Sequence, residues 1–104
     1  MSLVDPALAA GYVRASPADP KLPVQLGAAE RFVVDFLNRQ VFADQTALDA
    51  AVTAGTAGDL PMVVNDAIRA GILEYLAALY DNRGDEAEER VRRLVWPYRV
   101  GLGV

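Results

Sequence analysis

Apolar side chains recur at steps of three and four residues along most of this 104-residue chain. That spacing places them on one face of an α-helix, whereas a half-buried strand needs strict alternation. Prolines and glycines divide the pattern into segments. No segment alternates convincingly, and only residues 40–43 allow a few extended positions. The sequence therefore predicts an all-α fold, a small bundle of four to five helices with one long central helix and a flexible C-terminal tail.

The predicted helix boundaries follow from residues that favour the ends of a helix. The first helix starts at Asp5, since aspartate caps a helix and the proline after it fits the first helical position. Asp44 or Thr46 is the predicted cap of the third helix, in which Leu48 and Val52 face inward. The predicted helices span about residues 6–13, 23–38, 44–54, 61–81 and 85–95, within one domain of residues 1–104.

The composition excludes several classes of enzyme. The chain has no cysteine and no histidine, which rules out a thiolate nucleophile, a cysteine-bound metal and a Ser-His-Asp hydrolase. Most acidic residues lie one helical turn from an arginine or at a helix start, which favours solvated helix faces over a catalytic carboxylate pair. We expect no enzymatic activity, no cofactor and no metal site.

Two short segments match ligand-binding loops only in part. Residues 81–86 begin like a calcium loop, but such a loop needs an oxygen ligand at its third position and glycine at its sixth. Arg83 and Glu86 occupy those positions. Gly55 and Gly58 are not followed by the lysine and serine of a phosphate-binding loop. Neither segment predicts a binding site.

The charge balance bears on partners and location. With 14 acidic and 10 basic residues, the net charge of −4 argues against a surface that grips DNA phosphates. No apolar run approaches the ~20 residues that a membrane span requires. The start of the chain lacks the basic and apolar regions of a signal peptide. We expect a protein made in the cytosol that does not bind membranes.

The fourth predicted helix carries a stripe of small residues beside its broad apolar face. The stripe comprises Ala67, Ala70, Gly71, Ala77 and Ala78. A glycine inside a helix costs about 1 kcal/mol relative to alanine, so Gly71 indicates a close packing contact. The sequence leaves open whether that contact lies within the monomer or between subunits.

The fifth predicted helix has acidic residues in its first half and arginines in its second. This order complements the helix dipole. It also predicts three ion pairs one turn apart, namely Glu86–Arg90, Glu88–Arg92 and Glu89–Arg93. Pro97 disfavours helical geometry at the residue before it, so the helix ends there.

The residues after this helix are of the types that dominate protein interfaces. Trp96, Tyr98 and Arg99 belong to the residue types enriched at hot spots, although Trp96 alternatively covers the monomer core. We therefore expect an interaction protein. The candidate interface residues are Gly71, Glu74, Arg90, Arg92, Arg93, Trp96, Tyr98 and Arg99.

Three motifs follow one another in the second half of the chain. Leu60-Pro61 opens the long apolar helix, Tyr80-Asp81-Asn82-Arg83 ends it, and a short helix closes in Leu94-Val95-Trp96-Pro97-Tyr98-Arg99. This order resembles the head–tail connector family of tailed phages and prophages, also called adaptor or head-completion proteins. The family-like residues are Leu60, Pro61, Tyr80, Asn82, Arg83 and Pro97, together with Tyr98 and Arg99.

One segment departs from the family pattern. Many members carry strand-forming sequence between the second helix and the Leu-Pro pair, whereas residues 40–59 here are short and alanine-rich. Whether they form a helix or a short hairpin stays open. Tyr80, Asn82 and Arg83 are expected to hold the turn between the last two helices.

The resemblance implies a structural role. About a dozen copies would form a ring beneath the portal, extend the DNA channel and join head to tail through head-to-tail subunit contacts. The implied partners are further copies of this chain, the portal protein and head-completion or tail proteins, with DNA only as cargo. The implied location is the head–tail junction of the virion, after assembly in the host cytoplasm. The residues after Arg99 would become ordered on docking to the portal.

The alternative is a small helical DNA-binding or regulatory module, or a terminase-associated protein. A helix-turn-helix reader needs an exposed helix with polar and basic residues that reach the bases. Neither residues 47–54 nor residues 64–80 offer such a helix. The connector is therefore the preferred hypothesis.

Overall fold

The computed structural model describes residues 3–101, which form a compact all-α bundle with almost no strand. The helices in this part of the chain are α1 (Pro6–Val13), α2 (Lys21–Leu37), α3 (Gln45–Ala54), α4 (Asp66–Tyr80) and α5 (Gly84–Val95). Two-residue strands, β1 (Val41–Phe42) and β2 (Met62–Val63), flank α3, and a 3₁₀ turn (Trp96–Tyr98) follows α5. The predicted fold class is confirmed.

Helix α4 is the centre of the bundle and packs against α1, α2 and α5. Its Ile68, Ile72 and Leu76 are fully buried. Helix α2 runs antiparallel to α4, because Lys21 at its start contacts Tyr80 at the end of α4, whereas Phe32 in its later turns stacks on Tyr75. The rest of the fully buried side chains with the largest volumes are Val4, Val33, Leu37, Val91 and Val95.

The central helix begins later than predicted. Asn65 caps α4, since its side chain accepts a hydrogen bond from the Ile68 amide at 2.9 Å. Pro61, the predicted start, precedes β2 instead. The short strands pair in parallel, with Val41 opposite Met62. Helical periodicity does not reveal this pairing, because it joins residues on either side of α3.

Residues 40–59 contain β1 and helix α3 and do not form a hairpin. The Asp44 carboxylate accepts a hydrogen bond from the Ala47 amide at 2.8 Å, so Asp44 and not Thr46 is the cap. The inward orientation predicted for Val52 is wrong, since this side chain is 55% exposed. None of the residues of α3 is buried.

The last described residues lie against the end of α2. The Val100 amide donates to the Leu37 carbonyl at 3.0 Å, and the Asn38 side-chain amide donates to the Val100 carbonyl at 3.4 Å. Of the predicted flexible tail, residues 102–104 lie outside the described residues. The chain up to Gly101 follows the surface of the bundle.

Candidate interaction surfaces

Gly71 lies between α4 and α5 in the same chain. A Cβ atom at this position would come within 2.9 Å of Cγ1 of Val95 and 3.6 Å of Cγ1 of Val91. The residue is buried. The predicted close packing contact is therefore present inside the monomer, and Gly71 is not available to a second subunit.

Glu74 and Arg90 form an ion pair between α4 and α5. The predicted partner of Arg90, Glu86, instead bonds Arg83 at 2.6 Å. The prediction of a Glu86–Arg90 pair is wrong, because the Glu74 carboxylate on the neighbouring helix α4 pairs with Arg90 instead. Glu74 and Arg90 thus join two helices of one monomer.

The other two predicted ion pairs are present on α5. Arg92 lies 3.2 Å from Glu88, and Arg93 lies 3.4 Å from Glu89. The Arg92 guanidinium also lies 5.4 Å from the centre of the Phe32 ring on α2. Both arginines are already neutralised within the monomer, and their contact with another copy stays a prediction.

Three residues form an aromatic cluster at the C-terminal end of α2. The centres of the Phe36 and Trp96 rings are 5.8 Å apart, and the Arg99 guanidinium lies 5.2 Å from the former and 5.7 Å from the latter. Arg99 also donates a hydrogen bond from Nε to the Phe36 carbonyl at 2.9 Å. Although Trp96 has these contacts, 57% of it remains exposed. The aromatic cluster, Phe36, Trp96 and Arg99, therefore offers an ordered but exposed indole.

Arg39 holds three separate segments together beside this cluster. Its guanidinium group donates to the carbonyls of Leu60 at 2.7 Å, Tyr98 at 3.2 Å and Pro61 at 3.4 Å. Asp35 and Arg39 are four residues apart, a spacing that by itself favours an exposed ion pair between them. Asp35 instead lies 3.9 Å from Arg31. No local signal reveals Arg39, because its acceptors are backbone carbonyls distant in sequence.

Leu60 has a backbone conformation that is unusual for its residue type. Its φ angle is 50°, in the left-handed range. Its side chain is 62% exposed. Asn and Gly adopt this conformation readily, whereas a leucine is strained in it. The hydrogen bond from Arg39 to the Leu60 carbonyl stabilises the strained turn that leads into β2.

The turn between α4 and α5 contains two of the three predicted residues. Asn82 has a left-handed φ of 56°, and the Arg83 amide donates to the Ala78 carbonyl at 2.7 Å. Tyr80 points elsewhere, since its hydroxyl donates to Asp19 at 3.3 Å. Tyr80 therefore links the end of α4 to the segment before α2 instead of holding the turn.

Two tyrosines and one arginine have shifted protonation equilibria. Burial, followed by the charge and hydrogen bond of Glu88, raises the pKa of Tyr75. Loss of hydration, followed by Asp19, raises the pKa of Tyr80. The hydrogen bond and charge of Glu86 raise the pKa of Arg83. All three groups therefore keep their protons at neutral pH, and none of them is poised to act as a general base.

A second candidate surface is a groove between α1 and α2, which we call the proline groove. It has a volume of about 400 Å³. Its apolar lining consists of Pro6, Pro17, Leu22, Pro23 and Leu26. Gly27 and Glu30 complete it. In the sequence these prolines only mark element boundaries, because their convergence depends on how α1 packs against α2.

Residues 3–101 leave several large apolar side chains exposed and hold no grouping of metal ligands. Within residues 3–101, no cluster of three or more acidic side chains is arranged to hold a metal ion. No helix in that range is long and apolar enough to span a bilayer. The exposed large apolar side chains, by contrast, include Leu60 and Trp96 at one end of α2 and Val24 near the other.

No protein-family model, no curated protein sequence and no solved structure matches the chain.

Proposed function

We propose that this chain is a structural subunit of a head–tail connector ring of a tailed phage. The ring sits beneath the portal, extends the DNA channel and offers a surface to the next head-completion or tail protein. The resemblance of the motifs around Leu60, Tyr80 and Pro97 to this family motivates the proposal. The observation that carries it is the presence of two different apolar surfaces at opposite ends of α2.

These two surfaces suit a head-to-tail contact between copies. The aromatic cluster contains Phe36 at the end of α2, and the proline groove contains Pro23 near its start. The helix between these residues spans about 20 Å at a rise of about 1.5 Å per residue. A contact that joins two different surfaces is heterologous, and repetition closes it into a ring when the rotation allows. An isologous dimer would instead bury the same surface twice.

The charge distribution supports a channel subunit over a DNA-binding module. The arginines of α5 that are candidates for phosphate contacts are Arg90, Arg92 and Arg93. Each has a carboxylate partner in the same chain. The net charge of −4 also argues against a surface that grips DNA phosphates. This balance favours DNA as cargo over DNA as ligand.

Assembly with a portal protein tests the proposal. Purified protein is analysed alone and mixed with a candidate phage portal protein, and sedimentation and negative-stain electron microscopy measure particle mass and shape. We expect ring-shaped particles, alone or on the portal. Continued monomers under both conditions would contradict the proposal. Submicromolar, salt-dependent binding to duplex DNA in place of assembly would support the DNA-binding alternative.

A further inference from the structure

We infer that the indole of Trp96 in one copy packs into the proline groove of the next copy. This inference rests on the proposed function, because it names the two surfaces that meet between neighbouring subunits. Both are found in one monomer at opposite ends of α2, so a copy cannot fill its own groove with its own Trp96.

Trp96 is already held in position for such a contact. Its ring packs beside Phe36 and Arg99, yet more than half of the residue is exposed. An ordered side chain loses less conformational entropy on binding than a mobile one. Tryptophan is also among the residues that contribute most to binding when they enter a pocket at the centre of an interface.

The proline groove has the chemistry to hold an aromatic side chain and enough room for one. Most of its lining is apolar and includes three prolines, whose rings are rigid. Its volume of about 400 Å³ admits a side chain as large as an indole. A Cβ atom added at Gly27 would meet no atom within 4 Å, so space is open above this residue.

The charges beside the two surfaces are complementary. Arg99 places a guanidinium group 5.7 Å from the Trp96 ring. Glu30 lines the proline groove, and its carboxylate is oriented by the amides of Leu3 at 2.9 Å and Val4 at 3.2 Å. Docking the indole therefore brings a cation towards a fixed carboxylate. Complementary charges of this kind select the partner and the register.

Cross-linking between two single-cysteine variants tests the contact directly. The natural chain contains no cysteine, so each variant carries one defined thiol. Pro97→Cys places it beside the intact Trp96, and Gly27→Cys places it in the groove. The control pairs Pro97→Cys with Thr53→Cys, on the exposed face of α3. A short bis-maleimide should link the first pair much faster than the control pair.

The intrinsic fluorescence of the protein supplies a second measurement that needs no variant. Trp96 is the only tryptophan, so its emission should shift to the blue and resist acrylamide quenching when particles form. Trp96→Ala should weaken self-association on the order of 10- to 100-fold. Val52→Ala, which removes an equally exposed apolar side chain from α3, should leave association unchanged.

The outcomes separate the two proposals. Rings that form with Trp96 still exposed to quencher, and without preferential cross-linking, would overturn the docking of Trp96 and leave the connector role standing. No rings with or without portal, and no preferential cross-link, would overturn both. Rings with a protected Trp96 and a preferred Pro97→Cys to Gly27→Cys link would support the contact.

Discussion

The α4–α5 pair and the segment from β1 to β2 are stabilised by different forces. Between α4 and α5, Val91 and Val95 are fully buried and pack close to Gly71. In the β1–α3–β2 segment, α3 has no buried residue, and the ends of the segment are joined by a few backbone hydrogen bonds and by Arg39. Apolar burial dominates in the first region. Directed polar contacts contribute more in the second, where Val41 and Met62 are only partly buried against the core.

This difference determines which substitutions each region tolerates. A close-packed contact responds to added volume, because interiors are packed as densely as organic crystals. A polar connection responds to the loss of a donor, because the carbonyls left behind lose their partner. The following substitutions separate these two kinds of stabilisation.

Gly71→Leu should have the largest effect on stability. The added side chain would collide with Val95 and Val91, and overpacking of this kind costs up to about 3 kcal/mol. Urea denaturation followed by circular dichroism measures the change. Gly11→Ala is the matched control, since a Cβ atom there meets nothing within 4 Å, and it should leave stability equal or slightly higher. An unchanged midpoint for Gly71→Leu would contradict the close approach of α4 and α5.

Arg39→Ala should have an intermediate effect, because it removes one guanidinium group that bonds three carbonyls. We expect a loss of about 2 kcal/mol, since a hydrogen bond to a charged group contributes more than a neutral one. Hydrogen exchange should increase first at the amides of Met62 and Val64, which bond across β1 and β2.

The control for this substitution is Arg39→Lys. Lysine keeps the charge but not the planar fork of donors, so it should recover only part of the lost stability. Full recovery by lysine would show that charge, and not the geometry of the three bonds, is what matters at this position.

Asp44→Ala should have the smallest effect of the three. It removes the side-chain cap of α3, and the loss of such a cap costs about 1 kcal/mol. The change should be confined to α3, because no residue of this helix is buried in the core. Thr46→Ala is the control and should change stability less, as the structure assigns the cap to Asp44. Equal losses would contradict that assignment.

The candidate surfaces were less accessible to sequence reasoning than the helices were. Trp96 and Arg99 could be singled out from residue type alone, but their contact with Phe36 required the end of α5 to meet the end of α2. The proline groove could not be anticipated, because its lining residues come from α1, α2 and the segment between them. Gly71 was identified from helix propensity, yet only packing could assign its contact to the monomer.

The amino-acid order by itself determined the all-helical pattern, the Asp5 cap of α1 and the end of α5 before Pro97, and it narrowed the cap of α3 to Asp44 or Thr46. These features depend on residues within one or two turns of each other, so local spacing reveals them. Tertiary structure alone decided the parallel pairing of β1 with β2, the partner of Arg90 and the role of Arg39. Each of these joins residues far apart in sequence, and their contact depends on how whole helices pack.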